Sequence, residues 1–215
     1  MYISLLGKVS KILGCKSPCD CYGIYIRRKL NAKIDNPAPF AVFSIMKKDN
    51  IGLHIVNMPL PEGCLARPGS ALINPTSITL HCVGAYPNLA VTTLRYWWMT
   101  GSDGKGRCVS SHFIIKDNDC IQCLPTDEVA WHMGVKPESY SSIGIELLPE
   151  NRKGMFSTQT LVTLKALVDT LPPLPIKRHF DWTGDSCPMY YTPAAGDGHG
   201  QERWEAMLTY LESGR

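Results

Sequence analysis

The chain lacks any apolar run approaching the roughly 20 residues needed to span a bilayer, so no transmembrane helix is expected. Internal repeats and low-complexity segments are absent too, which leaves an ordinary folded domain as the expectation. Net charge is small: 22 Lys and Arg against 19 Asp and Glu give +3, too little to argue for a nucleic-acid partner. Basic residues do gather at the front (Lys8, Lys11, Lys16, Arg27, Arg28, Lys29, Lys33), as either a solvated basic face or a weak anionic-surface contact. The opening "MYISLLGKVSKILGC" has no continuous hydrophobic core, because Lys8 and Lys11 interrupt it. Leu5, Leu6, Val9, Ile12 and Leu13 fit a short amphipathic helix instead. A cytoplasmic chain without an export signal is therefore expected.

A disulfide framework is missing as well. The nine cysteines are an odd number without repeated spacing, as suits a reducing compartment. Cys15, Cys19 and Cys21 have no fourth ligand nearby for a zinc knuckle. Cys120 and Cys123 sit three apart in an extended run, point to opposite faces, and are expected to pack in the core.

What is present is a globular composition, 44% hydrophobic and 19% charged over 215 residues, enough for one domain with a proper core. Residues 1–60 read differently from the rest. "APFAVFSI" (38–45) and "IGLHIVNM" (51–58) are strand-like, and a β-hairpin subdomain is one reading of this segment. The irregular stretch 59–75 leads into the second region, residues 61–215, where strands and helices alternate. "SITLHC" reads as a strand, "LAVTTLRYWWM" as a helix, and "SHFIIKDNDCIQCL" as two strands about an Asp-Asn-Asp turn. "SIGIELL" reads as a central strand. "STQTLVTLKALVDTL" is a helix capped by Ser157 and stopped by Pro172 and Pro173, and "QERWEAMLTYLESG" is a last helix closed by Gly214. This rhythm predicts an α/β fold with a central mixed sheet flanked by helices.

Six histidines occur, and a lone histidine needs an accomplice to be a ligand. His81 and His179 both fall at expected strand ends, where open α/β sheets assemble sites. Cys187 follows on the loop after His179. Two imidazoles and a thiolate suit Zn²⁺ and leave a fourth tetrahedral position open. On spacing alone the three are either such a set or two core histidines and a buried thiol.

The motifs "ITLHC", "VSSHFIIKDNDCIQCLPTDEVAWHMG", "SIGIELLPEN" and "RHFDWTGDSCP", in that order across Arg67–Tyr190, resemble the N-acetylmuramoyl-L-alanine amidase type 2 family. That family includes phage lysozyme-like amidases, anhydromuropeptide amidases and peptidoglycan-recognition proteins. The resemblance implies the family's sheet-and-helix fold and one Zn²⁺ held by His81, His179 and Cys187. It also implies Glu146 as the catalytic carboxylate and hydrolysis of the lactyl–L-alanine amide of peptidoglycan. A phage or prophage endolysin is the leading expectation: a monomer that waits in the cytoplasm and acts on the cell wall after release. A muropeptide-recycling amidase and a catalytically silent peptidoglycan-binding module are the alternatives. His112, His132, Trp131 and Asp185 are expected to line the substrate groove or support the ligands. Two positions depart from the family pattern. Asp185 stands where many members have lysine, and Ser111 where lysozyme-like members have a catalytic tyrosine.

Overall fold

The computed structural model describes residues 52–100, 108–133 and 136–215. Six strands form one sheet: β1 (Ile55–Asn57), β2 (Ser77–Cys82), β3 (Phe113–Lys116), β4 (Asp119–Gln122), β5 (Ser142–Leu147) and β6 (Ile176–Arg178). Their spatial order is β1-β4-β3-β5-β2-β6. Only the β3–β4 hairpin pairs antiparallel, and every other neighbour is parallel. The helices are α1 (Val91–Thr100), α2 (Thr158–Val168), the single turn α3 (Phe180–Thr183) and α4 (Gly200–Glu212). The architecture is thus the mixed sheet with flanking helices expected from the alternation of patterns. No helix among the described residues is long and apolar enough to cross a membrane.

Local chemistry explains most element boundaries. The hairpin turns where Asp117 takes a positive φ of 51°, a conformation Asp tolerates better than most residues. Ser157 caps α2, its Oγ accepting the Thr160 N–H at 3.0 Å. The same helix is tied to the hairpin, because Thr160 Oγ1 accepts the Asp117 N–H and Thr163 Oγ1 donates to the Asp117 carbonyl. α2 stops at Val168, short of the two prolines. There the chain tightens into three-residue turns, Thr170 N–H to Leu167 O and Leu171 N–H to Val168 O.

Of the hairpin expected in residues 38–58, the first arm lies outside the described residues. The second arm supplies β1, which pairs with β4 of the sheet. Cys120 and Cys123 are both buried, Cys123 in a cluster with Leu94, Trp98, Ile114, Ile121 and Leu124 where α1 meets the sheet.

The two central strands carry the feature that matters for function. β2 and β5 run side by side in register, Ser77 with Ser142, Thr79 with Gly144 and His81 with Glu146. Alternation puts Ile78, Leu80, Ile143, Ile145 and Leu147 on one face and the small or polar residues on the other. That second face is nonetheless covered: Ser77, Thr79, Ser142 and His81 are all buried. A buried polar sheet face is costly unless its groups are bonded, and here Thr79 and Ser142 bond to each other while His81 bonds His132.

Candidate metal centre

Three neighbouring strand ends converge in the order β5-β2-β6. Glu146 and His81 are register partners near the ends of β5 and β2. His179 directly follows β6, and its N–H reaches Leu80 O on β2 at 3.1 Å, so the parallel pairing carries it alongside His81. After His179 the chain makes the single turn α3, in the stretch expected to be a plain turn. Gly184 closes it at φ 79°, a left-handed geometry glycine adopts without strain. The reversal brings Cys187 back: its carbonyl accepts the Phe180 N–H at 2.8 Å, and its Sγ accepts the Cys82 N–H at 3.3 Å.

The outcome is a cluster in which the donor atoms of His81, His179 and Cys187 lie within 4.8 Å of one another. Tetrahedral zinc bonds of ~2.0–2.3 Å put donors roughly 3.3–3.8 Å apart, so closing on an ion would draw them in by up to about 1.5 Å. The donor set fits Zn²⁺. Burial holds His81 neutral, its pKa well below the ordinary histidine value, with His132 and His179 adding to the effect. His179 is also lowered by burial, the negative charge of Asp185 working against the shift and Lys136 adding to it. Neutral imidazoles have the free lone pair a metal needs. The Cys187 thiol is pushed far up by burial and then by Glu146, so it gives up its proton to a cation rather than to water.

Glu146 is half-buried, and its carboxylate makes no hydrogen bond among the described residues. Desolvation alone raises its pKa to about 8. A carboxyl with its pKa in this range can exchange a proton near neutral pH, which suits acid–base chemistry beside the three metal-type donors.

The remaining expected site residues fall into two groups. His132 is buried against the ligands, its Nδ1 2.9 Å from His81 Nε2 and its Nε2 3.1 Å from Ser142 O. His112 stands behind it, its Nε2–H bonded to Glu128 O at 2.8 Å and its Nδ1 accepting the Gly144 N–H at 2.9 Å. Both ring nitrogens of His112 are thereby used, and the residue supports β5. Trp131 is buried edge-on to Tyr140, the more exposed ring of the pair. Asp185 is exposed on the loop between His179 and Cys187 and acts on both through its charge. Of the basic residues nearby, Arg178 is committed to Asp181, Tyr191 O and Gln201, and the Lys177 ammonium sits 3.9 Å over the Trp182 ring. His54 is exposed, and so is His199, which pairs with Glu202.

Sequence reasoning passed over Gly144, Ser142 and Thr79, which build the floor beneath the histidines. Their signal was the alternation itself: "SITLHC" and "SIGIEL" place small or polar residues at every second position. Thr79 Oγ1 lies 2.7 Å from Ser142 Oγ and accepts the Trp182 indole N–H at 3.1 Å, which pins the α3 turn to the sheet.

A family model described as N-acetylmuramoyl-L-alanine amidase matches residues 71–189. A curated relative, the N-acetylmuramoyl-L-alanine amidase XlyA of Bacillus subtilis (strain 168), is 30% identical over 149 residues, 63% of this chain and 46% of that protein. The chain thus spans about half the length of that relative. Among solved structures, the catalytic domain of XlyA superposes with a TM-score of 0.58 at 23% identity, covering 74% of this chain and 99% of that one. A mutant endolysin from Bacillus subtilis gives 0.57 at 25% identity with the same coverage, and PlyL gives 0.56 at 19%, covering 75% and 99%. The likenesses at 19% and 23% identity establish the fold.

Proposed function

Because the chain belongs to the N-acetylmuramoyl-L-alanine amidase family, we propose that it is a zinc-dependent amidase of bacterial peptidoglycan. It cuts the amide between the lactyl group of muramic acid and L-alanine, as an endolysin of phage or prophage origin. The observation that carries this reading is the meeting of His81, His179 and Cys187 beside Glu146 at adjoining strand ends. His81, His179 and Cys187 would hold the ion. When bound, Zn²⁺ supplies Lewis acidity, lowering the pKa of water toward ~7 and polarising a carbonyl oxygen.

The chain's own residues do the rest. Glu146 takes the proton from the attacking water and returns it to the departing amine of L-alanine, since an amide nitrogen leaves only when protonated. Its carboxyl titrates at about 8 without a cation, and a nearby positive charge draws that value down toward the working pH. The Cys82 N–H steadies the Cys187 sulfur once it is a thiolate. Lys136 places positive charge near His179 on the open side of the site.

Purified protein is expected to clear purified sacculi and release new free amino groups. A chelator abolishes this, zinc restores it, and His179→Ala is inactive. One equivalent of bound metal with no new amino groups would refute the hydrolase and leave a peptidoglycan-binding module.

A further inference from the structure

We propose that His132 locks His81 into the tautomer protonated at Nε2, aiming the Nδ1 lone pair of His81 at the metal, and that Gly144 exists to admit His132. The inference rests on the metal reading above and assigns it two positioning residues.

The argument is a count of donors and acceptors along a buried line. It starts at Ser142 O, a carbonyl that can only accept. His132 Nε2 lies 3.1 Å from it, so that nitrogen carries the hydrogen; a bare nitrogen there would set two lone pairs face to face. The Ser142 hydroxyl is also near, but its contact with Nε2 is longer at 3.3 Å, and in the proposed arrangement its proton goes to Thr79 Oγ1 at the shorter distance of 2.7 Å. A neutral His132 protonated at Nε2 has only an acceptor at Nδ1. His81 Nε2, 2.9 Å away, must therefore donate. This leaves Nδ1 as the one free lone pair of His81, on a ring tilted 54° to that of His179 with the centroids 4.8 Å apart. Metal-bound histidines generally owe their tautomer to such an outer hydrogen bond. Here the acceptor is a second imidazole whose own state is fixed by a backbone carbonyl.

Gly144 makes the arrangement possible. It lies on the same face of β5 as Ser142 and Glu146, directly beneath the His132 ring. A Cβ built there would fall 2.6 Å from His132 Cδ2 and 2.7 Å from its Cβ, closer than carbon atoms approach. The strand cannot yield instead. Gly144 N–H donates to His112 Nδ1 at 2.9 Å, Gly144 O accepts the His112 N–H at 3.0 Å, and Thr79 pairs across the other edge. Any side chain at position 144 has to displace His132, and with it the acceptor that orients His81.

Two measurements test this. Long-range ¹H–¹⁵N spectra of chelator-treated wild-type protein are expected to show both His81 and His132 protonated at Nε2. A His81 ring protonated at Nδ1 would overturn the proposal without any variant being made. Zinc affinity by chelator competition is the second. His132→Phe and Gly144→Ala are each expected to weaken binding roughly 10–100-fold. His132→Asn, whose amide oxygen sits near the lost Nδ1, retains most of the affinity. Wild-type affinity in folded His132→Phe, or an equal loss in His132→Asn, would overturn the relay. If His132→Phe does not fold, the spectra of the wild type decide. A wild type that takes up no zinc refutes the metal reading instead, and the tautomer spectra still judge the relay.

Discussion

Glu146 and Asp185 are the two side chains on which the proposed chemistry turns. Glu146 has no hydrogen-bond partner among the described residues, and in the proposed reaction it exchanges a proton, which an amide cannot do. Glu146→Gln keeps the shape and should lower turnover about 10²–10⁴-fold, the usual worth of general acid–base catalysis, with zinc content unchanged. Amine release and metal analysis on the same preparation would check it, and a loss of zinc would recast Glu146 as a ligand. Asp185 acts differently. Its negative charge sits by the ligands, opposing the burial effect at His179 and helping hold the Cys187 proton. Asp185→Lys reverses that charge on an exposed loop. Zinc content should stay at one equivalent, and turnover should hold or rise, with the ~10²–10³ worth of one oxyanion donor as the ceiling. Loss of zinc in this variant would mean that Asp185 props the metal site.

At the scale of elements, α2 and the β3–β4 hairpin hold each other. Ser157 joins both, accepting the Thr160 N–H and bonding Asp117 Oδ1 at 2.5 Å. Ser157→Ala should cost about 1 kcal/mol and lower Tm by about 2–4 °C, while zinc affinity is unaffected, because none of these groups touches a ligand. Elements of this kind were legible in the sequence. Caps, turns and apolar periods are local, and each of the α1, α2 and α4 patterns falls on an observed helix. His179 and Cys187 were legible as a pair for the same reason, since eight residues and a glycine turn bring them together. The network around His132, Gly144 and His112 was not, although the family resemblance marked both histidines as candidates to support the ligands. Its contacts join residues 10 to 51 positions apart, and they depend on how one loop lies over one strand, which no period records. A glycine within "SIGIEL" reads locally as a weak strand residue, and only the ring above it explains its presence.

The molecule as a whole carries its buried titratable groups in opposition, which gives the metal-free protein a defined pH profile. His112 and His132 are pushed down by burial to about 4 and about 3. A depressed pKa contributes stability that is complete above the unfolded value near 6.5 and is lost as pH falls toward the folded one. Glu146 runs the other way. Its folded pKa of about 8 exceeds the unfolded value of about 4.5, so stability is complete below ~4.5 and declines as pH rises to ~8. At pH 6.5 an unfolded histidine is still half protonated, so His112 and His132, together with His81 and His179, which are lowered too, go on adding stability until about pH 7.5. The thiols of Cys82, Cys120 and Cys123, raised to about 12, act in the same direction as Glu146 from roughly a unit below the unfolded thiol pKa of ~8.5. The difference between wild type and Glu146→Gln over about pH 6.5 to 8 therefore isolates Glu146, because every other group is shared. Relative to Glu146→Gln, chelator-treated wild type should lose on the order of 1 kcal/mol across that interval, read as a falling difference in urea midpoint, and both should lose stability on the acid side. Saturating zinc should shrink that difference, since a cation in reach holds the carboxylate ionised and cancels the burial cost. Wild-type and Glu146→Gln profiles that run parallel without metal would show that the carboxyl does not hold its proton and would remove the basis for giving it the proton-transfer role.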